Sequence, residues 1–471
     1  MTVPVSLTLS GDQHLHLERF LFPGDGNEAV ALLLCGRREG DRRHRLIVRE
    51  IHGIPYEDCS VRTPWRVTWP PDYIAPMLDR AASEGLSVVK IHSHPSGLAE
   101  FSETDNRGDQ RLLPMIDGWV EHPVPHGSAV MLPTGEIFGR VYKPASDSFA
   151  DLSCVSVAGD DLLFWYPRKM RDDAPGFLAS QAQIFDEGTI ERLQRLSIGV
   201  VGASGSGSPT IEQLVRLGVG ELVIVDDDVV EERNLNRILN TTRQHVIDER
   251  AKVFVMQDAA NAIDIGTKIV PHAANVWDPD VISSLAQCDV IFGCVDTIDG
   301  RYLLNAIAAY YSIPYFDIGV RLLADESKGE LSIGISEICG TINYLRPGRS
   351  SLLSRGLFSL KDVANASLER NDPAAFEQQV NDGYIVGAPN NRPAVISVNM
   401  FASSLAVNEF LARLHPYREE YNLHYAAVEF SLASMEIFYD PETGLCDRFS
   451  NKVGVGDTKP LLDEIELTEK N

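Results

Sequence analysis

This sequence has no C-x-x-C pair, no long apolar run and no excess of basic residues, and each absence excludes a class of protein. The seven cysteines are scattered and odd in number, which is typical of a reduced, intracellular protein rather than a disulfide-stapled one. The longest clean apolar run, Ala29 to Cys35, is too short to span a membrane, and Met1 to Ser10 lacks the basic start and apolar core of a signal peptide. We therefore expect a cytoplasmic protein.

The chain carries a formal net charge of −25, from 42 basic and 67 acidic residues. Nucleic acid and anionic membranes both bind basic surfaces, so we expect neither as a partner. With 471 residues, the chain is long enough to form more than one domain with a substantial core and no covalent staples.

The pattern of apolar residues changes near the middle of the chain and predicts two α/β domains. Up to about Tyr142 the apolar runs are short and punctuated, which is typical of strands. From Leu196 strands and helices alternate, which predicts a Rossmann-like, mostly parallel sheet. We place the first domain at 1–165, a linker at 166–180 and the second domain, with a C-terminal extension, at 181–471.

Three predicted elements of the second domain carry the functional argument. They are a strand over 196–201, a helix over 208–217 and a strand over 221–225. The long polar stretch 348–383 is predicted to be a loop, and 394–414 is predicted to be a helix.

His92 and His94 end an apolar run and stand two residues apart, a spacing that points both imidazoles to one face of a strand. With the carboxylate of Asp105 as a third ligand, a zinc ion would keep its fourth position for water, which is the arrangement of catalytic zinc. Ser102 and Asp105 are also a helix N-cap signature, and the two interpretations are compatible.

The whole pattern closely resembles the JAB/MPN+ (JAMM) metallo-isopeptidases. It consists of His-x-His-Pro, then Ser-x-x-Asp after a gap of seven residues from the second histidine, and a glutamate, Glu28, upstream of a Leu-Leu-x-Gly strand. The resemblance implies an α/β metallohydrolase domain with a cytidine-deaminase-like sheet. It also implies that His92, His94 and Asp105 bind zinc, that Glu28 acts as general acid and base, and that Ser102 steadies the tetrahedral oxyanion.

A second motif follows in the second domain, where Gly202, Gly205 and Gly207 lie between a predicted strand and a predicted helix. Their amides and the helix N-terminus can receive phosphates. Asp226 ends the next strand, where a dinucleotide dehydrogenase places its ribose-binding acid. Up to this residue an NAD oxidoreductase is a serious alternative.

Polar residues further along the chain favour ATP instead. Those that we expect at the same crevice are Asp228, Asn234, Arg237, Lys252 and Asp296. Two cations with carboxylates suit ATP and Mg²⁺, because charge must be stabilised when an acyl oxygen attacks the α-phosphate. Hydride transfer needs no such clamp.

This ordered series resembles the ThiF/MoeB/ubiquitin-activating-enzyme family over about residues 183–343. The resemblance implies ATP and Mg²⁺ as cofactors and the glycine loop as their cradle. The implied roles are ribose binding for Asp226, the α-phosphate for Asn234, the triphosphate for the catalytic Arg237 and Lys252, and Mg²⁺ for Asp296. Asp228 either belongs to the ATP site or caps a turn.

Three features depart from that family. Ser204 occupies the position of the family's usual second glycine. The family's Arg-Gln pair is absent from residues 179–183, and Arg168 or Arg171 is a candidate substitute for the missing arginine. Where relatives have a zinc-binding C-x-x-C or a thioester cysteine, this chain has Ser351-Leu-Leu-Ser354.

The missing thioester cysteine leaves the fate of the acyl group open. Either the domain stops at the acyl adenylate, or another nucleophile takes the acyl group. Ser351 and Ser354 are candidates for an oxyester, and Cys339 and Cys446 are candidates for a thioester, although both cysteines also suit ordinary packing positions.

The two resemblances imply one shared substrate, a carrier protein with a flexible C-terminus. We expect a bifunctional enzyme of a bacterial ubiquitin-like pathway, which cleaves after that C-terminus with zinc and adenylates it with ATP. The alternative is processing and activation of a sulfur carrier. The expected partners are a ubiquitin-like or β-grasp carrier, a conjugating-enzyme-like protein and a second copy of the chain in a homodimer.

Overall fold

The described strands form two large sheets and one two-stranded sheet. In the C-terminal half the strands alternate with helices. The computed structural model describes residues 3–167, 176–325, 334–382, 385 and 393–468. These residues divide into two units. Unit 1 contains 3–167, 309–312 and 452–468, and unit 2 contains the other described residues.

Unit 1 is a mixed sheet with helices on both faces. Its strands are β1 (Val5–Ser10), β2 (Val30–Arg38), β3 (His44–Gly53), β4 (Val61–Thr63), β5 (Arg66–Thr68), β6 (Ser87–Ser93), β7 (Gly127–Met131), β8 (Ile137–Lys143), β9 (Ser148–Asp151), β10 (Cys154–Ala158) and β11 (Leu162–Trp165). Its helices are α1 (Gly11–Leu21), α2 (Ala75–Glu84) and α3 (Glu103–Val120).

The nine-stranded sheet of unit 1 has the order β11-β10-β1-β3-β2-β6-β7-β8-β9, and β4 pairs separately with β5. Strand β2 is buried on both sides because its side chains alternate between two cores. Leu33 packs in the cluster that contains Leu17 of α1. Leu32 and Leu34 pack in the cluster that contains Leu113 of α3. The central strand thus has helices over both faces.

The C-terminal segment 452–468 also belongs to unit 1. Gly456 forms a parallel bridge with Arg37 of β2, and the amide of Asp457 donates to the Arg37 carbonyl at 2.8 Å. The Asp457 carboxylate also contacts Arg38 at 3.2 Å. A Cβ on Gly36 would lie 2.2 Å from the Gly454 carbonyl oxygen, so the two backbones approach too closely for a side chain.

Unit 2 contains the alternating elements. Its helices are α4 (Ala179–Arg195), α5 (Gly207–Arg216), α6 (Arg243–Ile247), α7 (Lys252–Ile263), α8 (Pro279–Leu285), α9 (Ile298–Tyr310), α10 (Leu360–Asn371), α11 (Pro373–Asn381) and α12 (Ile396–Leu414). The last two residues of α9 are counted in unit 1. Its strands are β12 (Ser197–Val201), β13 (Glu221–Val225), β14 (Lys268–His272), β15 (Val290–Gly293), β16 (Tyr315–Asp325), β17 (Gly334–Leu345), β18 (Ala427–Ser431) and β19 (Glu436–Asp440).

The eight-stranded sheet of unit 2 has the order β14-β13-β12-β15-β16-β17-β18-β19. The first five strands are parallel, and the last three add antiparallel pairs. The chain runs outward from β12 in one direction to β14 and then returns to β15 on the other side. A crevice is expected where the strand order reverses, at the carboxyl ends of β12 and β15.

The prediction of a mixed α/β protein with a mostly parallel second sheet is confirmed, but one element prediction is wrong. The stretch 348–383 contains α10 and α11 rather than a continuous loop. Both helices begin at a capping residue, Ser359 or Asp372, and neither has a buried residue. Their caps rather than an apolar stripe specify them, so a search for hydrophobic periodicity misses them. No helix in the described ranges has the length and hydropathy to cross a membrane.

Candidate functional sites

The first candidate site lies at the end of β6 in unit 1. His92 Nε2 lies 3.0 Å from Asp105 Oδ1, and His94 Nε2 lies 3.3 Å from Asp105 Oδ2. The two Nε2 atoms are 3.1 Å apart. Among the described residues, this triad is the one group of histidine, cysteine and carboxylate atoms close enough to hold a metal ion. The structure therefore brings together the three residues that were predicted as zinc ligands.

The donor set fits zinc. His94 Nδ1 lies 2.8 Å from the Leu98 carbonyl oxygen, which can only accept, so Nδ1 carries the proton and Nε2 presents its lone pair. Burial lowers the pKa of His92, which favours the neutral ring that binds metals. Burial opposes the charge of Asp105, but in the metal-free protein the adjacent His92 and His94 rings hold the pKa of that carboxyl well below its usual range.

Ser102 fixes Asp105 at the first turn of α3. Ser102 is the N-cap, and its Oγ accepts from the Asp105 amide at 3.2 Å. Its backbone amide and hydroxyl both donate to Asp105 Oδ2, at 2.8 and 2.7 Å. The same residue therefore caps the helix and holds Asp105, the predicted third ligand, which confirms the capping interpretation of the sequence.

Glu28 lies beside the triad because of strand register. Strands β2 and β6 are antiparallel with Val30 opposite His92, and continuing that register pairs Glu28 with His94. The Glu28 side chain is buried, and this burial raises its pKa to about 7. A carboxyl group with this pKa can both accept and return a proton near neutral pH.

The second candidate site lies in unit 2 at the carboxyl ends of β12, β13 and β15. The glycine loop begins at Gly202, whose φ of 95° favours glycine. A Cβ on Gly207 would lie 1.8 Å from the Gly202 carbonyl oxygen, and one on Gly205 would lie 2.4 Å from Asn399 Nδ2. The loop is therefore tightly closed, with α5 starting at its end, as a phosphate-binding turn requires.

Lys252 is held beside this loop by two carboxylates. Its Nζ lies 2.6 Å from Asp228 Oδ2 and 3.3 Å from Asp226 Oδ1, and it donates to Ser204 Oγ at 3.0 Å. Asp226 Oδ2 accepts the Ala203 amide at 2.7 Å, and burial raises the pKa of this carboxyl. The serine that replaces a family glycine thus contacts the predicted triphosphate-binding lysine directly.

The remaining predicted residues are placed less tightly. Asn234 is buried and its Oδ1 accepts the Glu231 amide at 2.9 Å, so it shapes the turn after β13. Arg237 has its Cδ 3.6 Å from the position of a Cβ on Gly205. Asp296 is exposed, three residues beyond the end of β15. The proposed role of Asp296 in binding Mg²⁺ stays a prediction.

Helix α12 contributes residues that sequence reasoning missed. Asn399 contacts Gly205, and Ser403 donates to the Ser206 carbonyl at 2.6 Å. Both are buried polar residues in a helix whose buried residues are mostly apolar. That polarity was the available signal, because a buried amide or hydroxyl needs a partner.

The candidate acyl acceptors differ in exposure. Ser351 and Cys446 are buried, and Ser351 Oγ donates to Cys446 Sγ at 3.1 Å. Ser354 is exposed, and Cys339 is partly exposed on β17 with a pKa that burial raises. The candidate substitutes for the missing arginine, Arg168 and Arg171, lie outside the described residues.

The two sites define a protein that combines a candidate metal centre with a nucleotide-type crevice of an α/β sheet. Residues 178–442 match the model of the ThiF family, and residues 16–142 match that of prokaryotic homologs of the JAB domain. The chain belongs to the ThiF family and carries a JAB domain in its N-terminal half. The resemblances predicted from the two motif sets are confirmed.

Curated relatives match parts of the chain. The chain is 31% identical over 172 residues to the adenylyltransferase and sulfurtransferase UBA4 of Meyerozyma guilliermondii, covering 36% of each chain. It is 29% identical over 211 residues to ubiquitin-like modifier-activating enzyme 5 of Drosophila willistoni, covering 42% of this chain and 48% of that protein. It is 37% identical over 126 residues to the SAMP-activating enzyme E1 of Haloferax volcanii, covering 26% of this chain and 45% of that protein.

These alignments span about half or less of the relatives' own length. Among solved structures, the crystal structure of E. coli MccB with ATP is 14% identical, with a TM-score of 0.43, covering 59% of this chain and 74% of that one.

Proposed function

We propose that this chain is a bifunctional enzyme that adenylates the C-terminus of a small carrier protein and hydrolyses bonds formed after that C-terminus. The observation that carries the proposal is that one chain assembles both sites: the His92–His94–Asp105 triad beside Glu28, and the glycine loop beside Lys252. A protein that merely displayed a carrier would need neither a buried lysine at a nucleotide loop nor a triad of metal-binding groups.

In the adenylation reaction, Lys252 would exchange its carboxylate partners for phosphate oxygens. It already lies against the glycine loop, whose amides and α5 N-terminus favour negative charge. Asp226 ends β13 where it would accept a ribose hydroxyl. Arg237 would neutralise the triphosphate, and Asp228 and Asp296 are the carboxylates available for Mg²⁺. Bound MgATP supplies the α-phosphate that the carrier carboxylate attacks, with release of pyrophosphate.

In the hydrolytic reaction, His92, His94 and Asp105 would hold zinc with one position open. When bound, zinc supplies a Lewis acid that makes water nucleophilic at neutral pH and polarises the scissile carbonyl. Glu28 would take the proton from the attacking water and return it to the leaving amine. The Ser102 hydroxyl, which donates to Asp105 Oδ2 in this structure, would turn its proton to the oxygen that becomes negatively charged.

ATP–pyrophosphate exchange tests the adenylation. A β-grasp carrier ending in glycine should support exchange by the full chain, and Lys252→Ala should lower the rate at least ~100-fold, as loss of one charge-stabilising donor does in other enzymes. Lys268→Ala is the matched control, because Lys268 is an exposed lysine at the start of β14 whose partner is Glu221. Absence of exchange with every carrier tried, or equal rates in the two variants, would refute activation.

Cleavage of a carrier fusion tests the hydrolase. His94→Ala should lose both bound zinc and cleavage, whereas Glu28→Gln should keep zinc and lose cleavage. His52→Ala is the matched control, since His52 is exposed and pairs with Glu50. A zinc-replete wild-type protein that cleaves no fusion would contradict this half of the proposal.

A second candidate function is processing and activation of a sulfur carrier, because part of the chain is similar to an adenylyltransferase and sulfurtransferase. The acceptor distinguishes the two. Transfer to a conjugating-enzyme-like protein indicates ubiquitin-like conjugation, and conversion of the adenylate by sulfide or a sulfurtransferase indicates sulfur transfer. A cytoplasmic homodimer remains part of the proposal, and light scattering of the full chain would test the dimer.

The acyl acceptor is proposed on exposure. Ser354 and Cys339 are the candidates that solvent reaches, whereas Ser351 and Cys446 would first have to leave their mutual contact. If hydroxylamine removes the adduct with the carrier but thiols do not, the adduct is an oxyester, which would indicate Ser354 as the acceptor. A thiol-labile adduct would indicate Cys339, and recovery of the carrier adenylate alone would show that the domain stops at that stage.

A further inference from the structure

Two cations and one carboxylate form a buried layer next to the zinc triad, and we call Lys90, Asp109 and Arg140 the ion layer. Lys90 Nζ lies 2.5 Å from Asp109 Oδ1, and Arg140 Nη2 and Nε lie 2.6 and 3.2 Å from Oδ2. All three side chains are buried, and Asp109 has no exposed surface. Neither the zinc ligands nor the proposed acid and base include any of them.

The ion layer is stacked on the triad by the geometry of β6 and α3. Lys90 and His92 alternate along β6, and His94 continues this alternation one residue past the end of the strand, where its amide donates to the Met131 carbonyl at 3.0 Å, so we place the three side chains on one face. Asp105 and Asp109 are four residues apart on α3 and therefore share the helix face that meets the strand. Two residues along a strand and one helical turn span similar lengths, about 6.6 and 5.4 Å. One strand–helix contact thus carries the metal ligands, and the next carries the ion layer.

Arg140, from β8, also holds the residues that flank the functional ones. Its Nη1 donates to Asn106 Oδ1 at 2.5 Å, and Asn106 directly follows Asp105. Its guanidinium lies 3.8 Å from the centroid of the Phe101 ring, and Phe101 directly precedes Ser102. One side chain therefore contacts both neighbours of the Ser102–Asp105 segment in addition to Asp109.

Stability alone does not explain this layer. Burying charged groups carries a large desolvation cost, and apolar residues of similar volume often give equal or greater stability. Burial opposes the charge of Asp109, yet Lys90 and Arg140 hold the pKa of its carboxyl below the usual value, so the layer is ionic. Charged partners differ from apolar ones because their contacts are directional. A carboxylate whose two oxygens both have partners fixes the rotation of its helix about the axis and its position along the axis.

We infer that the ion layer positions α3, so that Asp105 and Ser102 face the two histidines, and that Asp109 and Arg140 are positioning residues for zinc binding. The inference rests on the proposed zinc site. It predicts that the layer controls metal affinity and coordination geometry, even where the fold survives without it.

Two variants of the full chain test the inference. Arg140→Lys keeps the charge but loses the planar fork that reaches Asp109 and Asn106 together. The triple variant Lys90→Met/Asp109→Leu/Arg140→Met replaces the layer with apolar side chains, which preserve buried volume. The zinc dissociation constant, from competition with a chromogenic chelator, should rise ~10–100-fold in both, as it does when outer-sphere partners of metal ligands are lost. The visible spectrum of the cobalt-substituted protein should change as well.

Controls separate positioning from general destabilisation and from failure of the zinc site itself. Arg45→Met also removes a buried arginine of unit 1, whose Nη2 donates to Thr8 at 3.1 Å, and it should leave zinc affinity and the cobalt spectrum unchanged. His94→Ala should abolish binding. If both ion-layer variants have wild-type zinc affinity and cobalt spectra and only a lower melting temperature, the positioning role is refuted, although the proposed zinc site is not. No zinc bound by the wild type would overturn the zinc site.

Discussion

The buried carboxyl group of Glu28 should make unit 1 less stable as the pH rises, and Glu28→Gln should remove that loss. Burial raises the pKa of Glu28 from 4.5 to about 7 in the folded protein. The folded state therefore binds a proton more tightly than the unfolded state. The stabilisation is complete below pH 4.5 and is lost as the pH passes 7. At ~1.4 kcal/mol per pKa unit, the loss reaches about 3 kcal/mol at pH 8.

Chemical denaturation of the metal-free full chain at pH 5 and pH 8 measures this effect. Four of the five tryptophans, Trp65, Trp69, Trp119 and Trp165, belong to unit 1, and a Trp277→Phe background makes the fluorescence report on that unit alone. The unfolding free energy of Glu28→Gln should exceed that of the parent by about 3 kcal/mol at pH 8 and by much less at pH 5. Added zinc should reduce the difference, since a nearby cation stabilises the carboxylate.

Glu50→Gln provides a control of opposite sign in the same unit. Its hydrogen bond to Arg80 lowers the pKa of Glu50, so the stability that Glu50 contributes is lost as the pH falls. Replacing it should cost more at pH 8 than at low pH. If the Glu28 difference is the same at pH 5 and pH 8, the carboxyl is not in a desolvated environment and the argument for its role as a proton carrier fails.

Three further predictions concern backbone and side-chain contacts. Gly207→Ala should lower the melting temperature of unit 2 and abolish ATP binding in calorimetry, because the added Cβ would lie 1.8 Å from the Gly202 carbonyl oxygen. Unchanged ATP binding would show that the loop is not tightly closed. Ser204→Ala should raise the KM for ATP in pyrophosphate exchange ~2–5-fold, as one of three partners of Lys252 is lost, and a KM equal to wild type would show that the hydroxyl is idle. Gly456→Ala should release the C-terminal segment, because Gly456 has a φ of 74° and an added Cβ would lie 2.4 Å from a backbone nitrogen of β2. Limited proteolysis after residue 451 should then be faster.

Local patterns predicted the parts of both sites that depend on local geometry. The two-residue spacing of His92 and His94 determines that both face one side of β6, and a capping motif determines where Ser102 and Asp105 lie on α3. The strand over 221–225 has the predicted bounds, because a short apolar run between turn signals allows few alternatives.

Contacts between distant parts of the chain could not be predicted from the residues in the same way. Glu28 reaches His94 through the register of β2 and β6, which spacing does not reveal, and only the family pattern selected it. Asn399 reaches the glycine loop from a helix almost 200 residues further along the chain. The helices at 360–371 and 373–381 have no buried face, so their sequence lacks the periodicity that identifies packed helices.

The return of segment 452–468 to unit 1 has a consequence for biosynthesis. The first 167 residues of this unit are synthesised about 280 residues before the C-terminal segment, whose Gly456 bridges to Arg37. At ~5–20 residues per second, the nascent unit would wait roughly 15–60 s for its last piece. Translation order would therefore delay completion of unit 1 until unit 2 has been synthesised.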